Sequence, residues 1–179
     1  MSDIDARLSR MLEQRSAEAN PKEFLLDLAD MVARDAGESF GRQVDEIGIM
    51  LAGTHAPYLR FVTPRKLCDL GTVPLTKRDS IAVTVFSRKA ADVSNNVPAV
   101  RHVSFFESVK LKDTSHPIMK MVTVPLVFEG RAVGVAQVSK KGPSPSEAGP
   151  DFTAAEVQKI ADYFAEKTVF LVEARPQSF

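Results

Sequence analysis

Cysteine, net charge and long apolar runs are all scarce in this chain of 179 residues. The single cysteine, Cys68, excludes an internal disulfide and is typical of a reducing compartment. The 23 basic and 23 acidic side chains cancel, so the basic stripe of a nucleic-acid-binding surface is missing. No apolar run approaches the ~20 residues of a transmembrane helix, and the charged start MSDIDARLSR is unlike a signal peptide. We therefore expect a cytoplasmic protein that binds neither nucleic acid nor membrane.

Motifs of catalysis and metal binding are missing as well. The sequence has no G-x-S-x-G motif, no phosphate-binding glycine loop and no obvious pair of catalytic carboxylates. Its histidines, His55, His102 and His116, are too far apart for a local metal motif. Cys68 lies near Arg65 and Lys66, which would favour a reactive thiolate, but we favour its interpretation as a small apolar core residue. The prediction is a protein without catalytic residues, metal or enzymatic activity.

The most informative stretch is PIMKMVTVPLVFEGRAVGVAQVSKK, residues 117–141. Two runs rich in valine flank Glu129 and Gly130, which predicts an antiparallel hairpin with arms 119–128 and 131–140 and a glycine-dependent turn. In the second arm the small residues share one face with Val138, where helices could pack closely, and Gln137 and Ser139 share the other. That second face suits the wall of a cavity as well as it suits a closed core.

Helices are predicted at both ends of the chain. Residues 3–16 have the apolar spacing of a short amphipathic helix. Asn20 and Pro21 are typical of a helix start, and an apolar residue at every fourth position from Phe24 predicts a helix that continues to about Phe40. Thr153 and Glu156 form a predicted capping box for a last helix that ends before Pro176. We expect an N-terminal extension over 1–19, a domain over 20–175 and a tail over 176–179.

The middle of the chain predicts further strands and a short helix. Residues 45–53 and 58–62 are typical of two strands joined by a turn, residues 63–79 of an irregular crossing, 81–89 of a helix and 91–94 of a brief strand. Residues 105–109 could form one helical face. Together these elements predict an α+β domain, in which an antiparallel sheet of five or six strands has the terminal helices on one face and the crossing segments and short helices on the other.

Three segments resemble the GAF domain, a sensory module related in architecture to PAS domains. They are VPLTKRDSIAVTVF (73–86), MVTVPLVFEGRAVGVAQVSKK (121–141) and PDFTAAEVQKIADYFA (150–165). The resemblance covers roughly residues 21–173 and implies a stand-alone GAF-type domain. Members bind small molecules such as cyclic nucleotides, tetrapyrroles, haem or 2-oxo acids on the sheet face opposite the terminal helices, and many act only in dimerisation.

This sequence departs from the motifs of three groups of GAF domains, which argues against the activities of those groups. The signature of cyclic-nucleotide members survives here only in Lys140 and Phe152, with Glu156 in place of an aspartate. A pigment-attaching cysteine before the main hairpin is missing, and the several cysteines of the methionine sulfoxide reductases are replaced by one. The cofactor or ligand therefore stays unidentified by the sequence.

Two functional interpretations remain open. In the first, the domain is a non-catalytic regulatory sensor that binds an unidentified small molecule in a pocket on one sheet face and signals to a separate protein. The predicted pocket residues are Phe61, Phe105, Phe106, Ser108, His116, Met119, Met121, Thr123, Gln137 and Ser139. In the second, the same side chains fill a solid core and the domain only dimerises. Under either interpretation we expect a homodimer through the terminal helices, with candidate interface residues Leu25, Ala29, Met31 and Phe170.

Overall fold

The computed structural model describes residues 2–16, 19–100 and 116–179. This part of the chain forms a six-stranded antiparallel sheet with the strand order β3-β2-β1-β6-β5-β4. The strands are β1 (Ile47–Ala52), β2 (Tyr58–Thr63), β3 (Thr72–Pro74), β4 (Asp92–Ser94), β5 (Ile118–Phe128) and β6 (Arg131–Lys141). The helices are α1 (Asp3–Glu13), α2 (Pro21–Phe40), α3 (Arg65–Cys68), α4 (Ile81–Arg88) and α5 (Ala154–Ala174). The predicted α+β class and the number of strands are confirmed.

The predicted hairpin is the centre of the sheet. Strands β5 and β6 pair along their whole length and turn at Glu129 and Gly130, whose φ angles are 49° and 76°. Positive φ is easy for glycine and uncommon for glutamate, which explains why the turn needs Gly130. Each strand is one residue longer than predicted, β5 at its start and β6 at its end.

Helix α2 has the predicted limits. The side chain of Asn20 accepts hydrogen bonds from the backbone N–H groups of Lys22 (3.0 Å) and Glu23 (3.4 Å), Pro21 occupies the first turn, and Gly41 ends the helix in the left-handed conformation. Both apolar faces are buried within the chain, because α2 packs against the sheet as well as against α1 and α5.

The two chain ends dock on the same body. Helix α1 begins with a capping box between Ser2 and Asp5 and buries Ile4 and Leu8, so the predicted N-terminal helix packs against α2 and α5 of its own chain. Helix α5 begins with the predicted capping box and ends at Ala174. Beyond it, Phe179 is buried and its carbonyl accepts a hydrogen bond from the Thr54 N–H at 2.7 Å.

The crossing between β2 and α4 contains two elements that the sequence pattern did not predict, α3 and β3. They have four and three residues, too few for any periodicity to show. Helix α3 is held by tertiary contacts instead, since Arg65 forms ion pairs with Glu23 (2.8 Å), Asp30 (2.8 Å) and Asp27 of α2. The predicted strand 45–53 is also shorter, because Val44–Glu46 form a turn of 3₁₀ helix.

The pairing register divides the sheet into two faces. Side chains of cross-strand partners and of alternate residues lie on the same side. The back face meets α2 and α5 and consists of Ile47, Ile49, Leu51, Val122, Val124, Leu126, Gly134, Ala136 and Val138. The front face consists of Gly48, Met50, Phe61, Met121, Thr123, Val135, Gln137 and Ser139. Helix α4 packs on β5 and β6 from the front, where Phe86 and Val133 line one surface pocket.

Candidate functional site

The front face brings together five of the predicted pocket residues on three strands. Strand β2 contributes Phe61, β5 contributes Met121 and Thr123, and β6 contributes Gln137 and Ser139. Each of these residues is buried, with 1 to 4% of its surface exposed. Met119, at 6%, lies one pair further along β5, at an irregularity in the pairing with β6. The sequence alternation therefore located this face correctly.

Gln137 is the unusual group of the front face. Its Nε2 donates a hydrogen bond to the hydroxyl of Thr123, its cross-strand partner, at 3.2 Å. Its Oε1 is buried and has no hydrogen-bond partner among the described residues. A buried acceptor without a partner costs roughly 1 to 3 kcal/mol of stability. Its described neighbours Met50, Met121 and Val135 offer no side-chain donor, so a ligand that brings a donor to this face would satisfy the carbonyl.

Other predicted pocket residues have different places. The hydroxyl of Ser139 donates to the backbone carbonyl of Glu46 at 3.0 Å, which joins the end of β6 to the start of β1. His116 is exposed ahead of β5. Phe105, Phe106 and Ser108 lie outside the described residues, as does the predicted helical face 105–109. Among the described residues, the centre of the predicted pocket thus consists of the polar Gln137 and Thr123 and the apolar Met121.

Cys68 lies in α3 and is buried, with 6% of its surface exposed. Its thiol donates to the carbonyl of Pro64 at 3.6 Å. Burial, with Asp30 and Asp69 nearby, raises the pKa of Cys68 to about 11. The thiolate needed for nucleophilic chemistry is therefore scarce at neutral pH, which agrees with the interpretation of Cys68 as a core residue.

Two buried lysines on the back of the sheet were not predicted. Lys120 and Lys140 are cross-strand partners with 4% and 2% of their surfaces exposed. Lys120 Nζ is neutralised by Asp151 at 2.5 Å and also donates to the Gly149 carbonyl at 2.7 Å. The sequence pattern contained a hint, because Lys140 continues the alternation of Ala136 and Val138 onto the back face. Burial of two lysines is unusual, because lysine is rarely buried without a partner.

Lys140 is less completely neutralised than Lys120. Its ammonium donates to the Pro150 carbonyl at 2.8 Å and lies 4.1 Å from the centre of the Phe152 ring. The nearest carboxylate, that of Glu156, is 3.9 Å away. Burial lowers the pKa of Lys140 despite this carboxylate. Lys140, Phe152 and Glu156 are the positions at which the sequence retained or replaced the GAF cyclic-nucleotide signature, and here they anchor the loop before α5.

A small cavity of about 150 Å³ adjoins Lys140 on the back side, between the end of α2 and the start of α5. Its lining combines three cationic side chains with one carboxylate and a mostly apolar wall: Ser39, Phe40, Arg42, Val138, Lys140, Phe152, Glu156, Lys159 and Ile160. The sheet lies between this cavity and the front face.

Metal and membrane sites find no support in the part of the chain that is described. Within residues 2–16, 19–100 and 116–179, no three histidine, cysteine or acidic side chains gather as a metal site would require. None of the helices described there combines the length and apolar character that crossing a bilayer demands.

The predicted dimer residues divide into two pairs. Leu25 and Ala29 have no exposed surface within the single chain, because α1, α5 and the sheet already surround α2. A second protomer therefore cannot reach them on this surface, and they are withdrawn as interface candidates. Met31 and Phe170 are half-buried and stay as predictions.

Comparisons with known proteins identify the fold. No protein-family model and no curated protein matches the chain, but solved structures do. Residues 122 to 287 of a methyl-accepting chemotaxis protein superpose with a TM-score of 0.68 at 18% identity, over 96% of both chains. The GAF domain of a phosphoenolpyruvate-protein phosphotransferase from Coxiella burnetii gives 0.67 at 9% identity, over 96% of this chain and 92% of that one.

An enzyme shares the architecture too. The type II free methionine-R-sulfoxide reductase from Thermoplasma acidophilum superposes with a TM-score of 0.62 at 12% identity, over 87% of this chain and 98% of that one. Several further neighbours are GAF domains. The chain has the GAF fold, as its sequence motifs predicted, and at these identities the likeness concerns the fold alone.

Proposed function

We propose that this domain is a non-catalytic regulatory module that binds a small molecule on the front face. The observation that supports the proposal is the unpartnered, buried Oε1 of Gln137. A ligand with an apolar body and one hydrogen-bond donor would pack on Met121 and Met50 and satisfy this carbonyl. Most of the site would be apolar with few placed polar groups, as is usual for small-molecule pockets.

The neighbours named above favour a regulatory role over a catalytic one. One is a segment of a methyl-accepting chemotaxis protein and another is the GAF domain of a phosphoenolpyruvate-protein phosphotransferase. The reductase neighbour favours catalysis, but the chain has one cysteine, Cys68, which is buried with a raised pKa. One cysteine cannot run a methionine sulfoxide reductase cycle without a thiol from another molecule. The signal would pass to a separate protein, in a cytoplasmic setting.

The alternative proposal is an interaction module without a ligand, in which the outer surfaces of α2 and α5 form a homodimer through Met31 and Phe170. Both side chains are half-buried apolar groups on adjacent helices, which is what a small two-fold contact would use. Light scattering on the wild type and on the Phe170→Glu variant tests the dimer. A monomeric wild type contradicts it.

A thermal-shift panel tests ligand binding. The probes are nucleotides, amino acids including methionine and its sulfoxide, 2-oxo acids and haem. A ligand that binds only the native state, at one hundred times its Kd, stabilises the protein by about 2.7 kcal/mol. For a chain of this size, this raises the melting temperature by about 5 to 10 °C. Gln137→Met should abolish the rise, while the matched control Gln158→Met, on the exposed side of α5, should retain it. Silence across the panel, or an equal rise in Gln137→Met, contradicts the proposal.

A further inference from the structure

The small cavity on the back side, which we call the back cavity, carries an excess of positive charge. Arg42, Lys140 and Lys159 lie in its wall, and Glu156 is the one acid among the nine described residues of the lining. Hydrogen bonds from Thr153 hold the pKa of Glu156 below its ordinary value, so this carboxylate is ionised. Two positive charges therefore remain without a counter-charge among the described residues of the lining.

The acid that is present is committed elsewhere. Glu156 Oε2 accepts hydrogen bonds from the backbone N–H of Thr153 at 2.8 Å and from its hydroxyl at 3.0 Å. These bonds cap α5, and they leave Oε1 at 3.9 Å from Lys140 Nζ, at the outer limit of an ion pair. In contrast, Lys120 next to it has a carboxylate at 2.5 Å. The fold therefore neutralises one of two adjacent buried lysines closely and the other one poorly.

A buried ammonium that is not closely paired is costly, and a bound anion is one way to offset that cost. Lys140 is 2% exposed, and its close contacts in the described structure are a carbonyl and an aromatic ring. Arg42 adds a guanidinium, the group best suited to oxyanions because it can donate two parallel hydrogen bonds. Its Nε already donates to the Phe40 carbonyl at 3.3 Å, which orients the side chain at the end of α2.

The size of the back cavity restricts the ligand. A volume of about 150 Å³ is comparable to that of a cavity that holds one benzene-sized molecule. That is room for a phosphate ion or a short carboxylate. Ser39 at the rim offers a hydroxyl, and Val138 and Ile160 provide the apolar floor.

We propose that the back cavity is a binding site for a small oxyanion, phosphate or carboxylate, held by Arg42, Lys140 and Lys159. Nothing in this proposal depends on a ligand at the front face. The bound anion would join the end of α2, the end of β6 and the start of α5, three elements that otherwise meet there around an open volume. Its occupancy would stabilise the packing of the two long helices.

The test uses the full chain and three arms of a thermal-shift titration: sodium phosphate, sodium acetate, and sodium chloride matched in ionic strength. Phosphate or acetate should raise the melting temperature beyond chloride, and the arm that responds distinguishes the two oxyanions. Lys159→Gln, at an exposed position, and Arg42→Gln should each weaken the apparent affinity about tenfold, as expected for the loss of one charge-assisted contact.

Arg88→Gln is the matched control, because it removes the same charge from an exposed position at the end of α4. It should respond to the anion as the wild type does. The proposal is overturned if neither oxyanion exceeds chloride, or if Lys159→Gln and Arg42→Gln respond as the control does. Since the chloride arm removes general ionic-strength effects, an equal response in all variants would show that the anion acts elsewhere.

Discussion

The two faces of the sheet present different side chains of the same strands. On the back, β6 presents Gly134, Ala136 and Val138 towards the helices, and all three residues are buried. On the front, the residues between them include Gln137, whose carbonyl has no partner among the described residues. Each side thus leaves one polar group poorly satisfied within the described residues: the Lys140 ammonium, whose closest described carboxylate is 3.9 Å away, and the Gln137 carbonyl. The faces also differ in what packs on them, since the long helices α2 and α5 cover the back, and we therefore expect truncations on the back to cost more stability than truncations on the front.

Removing a large side chain from the back should have the greatest effect. Phe164 of α5 is fully buried in the core, and Phe164→Ala should cost about 4 kcal/mol through lost burial and the cavity left behind. On the front, Met121→Ala should cost about 2 kcal/mol, at the lower end for such truncations. Urea denaturation of both variants measures the difference. Equal losses would contradict the contrast between the faces.

Gly134→Ala tests how closely the strands and side chains meet on the back. A Cβ at this position would lie 2.2 Å from the Met50 carbonyl oxygen and 2.9 Å from Cδ2 of Leu51. We expect a loss of about 3 kcal/mol, at the upper end for overpacking, or about 6 to 12 °C in melting temperature.

The control for this variant is Gly130→Ala. It meets no atom within 4 Å but has a φ of +76°, so it should cost only about 1 kcal/mol of backbone strain. A smaller effect at Gly134 than at Gly130 would show that the strands can separate to admit the methyl group.

The Asp5→Asn variant tests how α1 is held against the other helices on the back of the sheet. Its carboxylate lies 2.7 Å from Lys167 Nζ, a side chain with 2% of its surface exposed. Asp5→Asn should cost about 2 kcal/mol, less than a fully buried pair because α1 can detach and let water reach Lys167. Chemical denaturation at neutral pH measures this loss, and Asp3→Asn, at an exposed position, is the control.

The same pair predicts a pH dependence. Burial raises the pKa of Asp5, but hydrogen bonds from Lys167 and Ser2 outweigh it and hold the pKa below its ordinary value. The stabilisation is therefore complete above the unfolded pKa of about 3.9 and is lost as the pH falls through the lower folded pKa. The stability difference between wild type and Asp5→Asn should shrink below about pH 4. A difference that stays constant down to pH 2 would contradict the ion pair.

Gln137→Met should have the smallest effect, and one of opposite sign. Replacing a buried amide whose oxygen lacks a partner by an apolar side chain of similar length should stabilise the ligand-free protein by about 1 kcal/mol. Thermal denaturation without added ligand gives the value. A clear loss of stability would mean that the carbonyl is satisfied within the protein, and would remove the main support for a front-face ligand.

The hairpin, the caps of α2 and α5 and the division of β6 into two faces could all be predicted from the sequence. Each depends on local chemistry: a turn glycine, an Asn-Pro helix start, a Thr-Glu capping box and strict alternation. Elements held by tertiary contacts could not. Helix α3 depends on the ion pairs of Arg65 with α2, whose partners lie at least 35 positions away along the chain.

The candidate sites show the same limit. The front face followed from alternation, since Met121, Thr123 and Gln137 differ in type but share a side. The back cavity depends on Arg42, which follows the end of α2, and Lys159 of α5, which meet only in the folded chain. The dimer prediction failed at Leu25 and Ala29 for a related reason, because a second apolar face on α2 served partners within the same chain.

One contact at the edge of the sheet gives the molecule a mechanical connection. Asn95, just after β4, accepts from the Phe152 N–H at 2.8 Å and donates to the Phe152 carbonyl at 3.3 Å. Phe152 comes two residues before α5, so these two bonds connect the segment after the edge strand directly to the start of the longest described helix. We therefore expect a displacement of the edge strand to be transmitted to the start of α5.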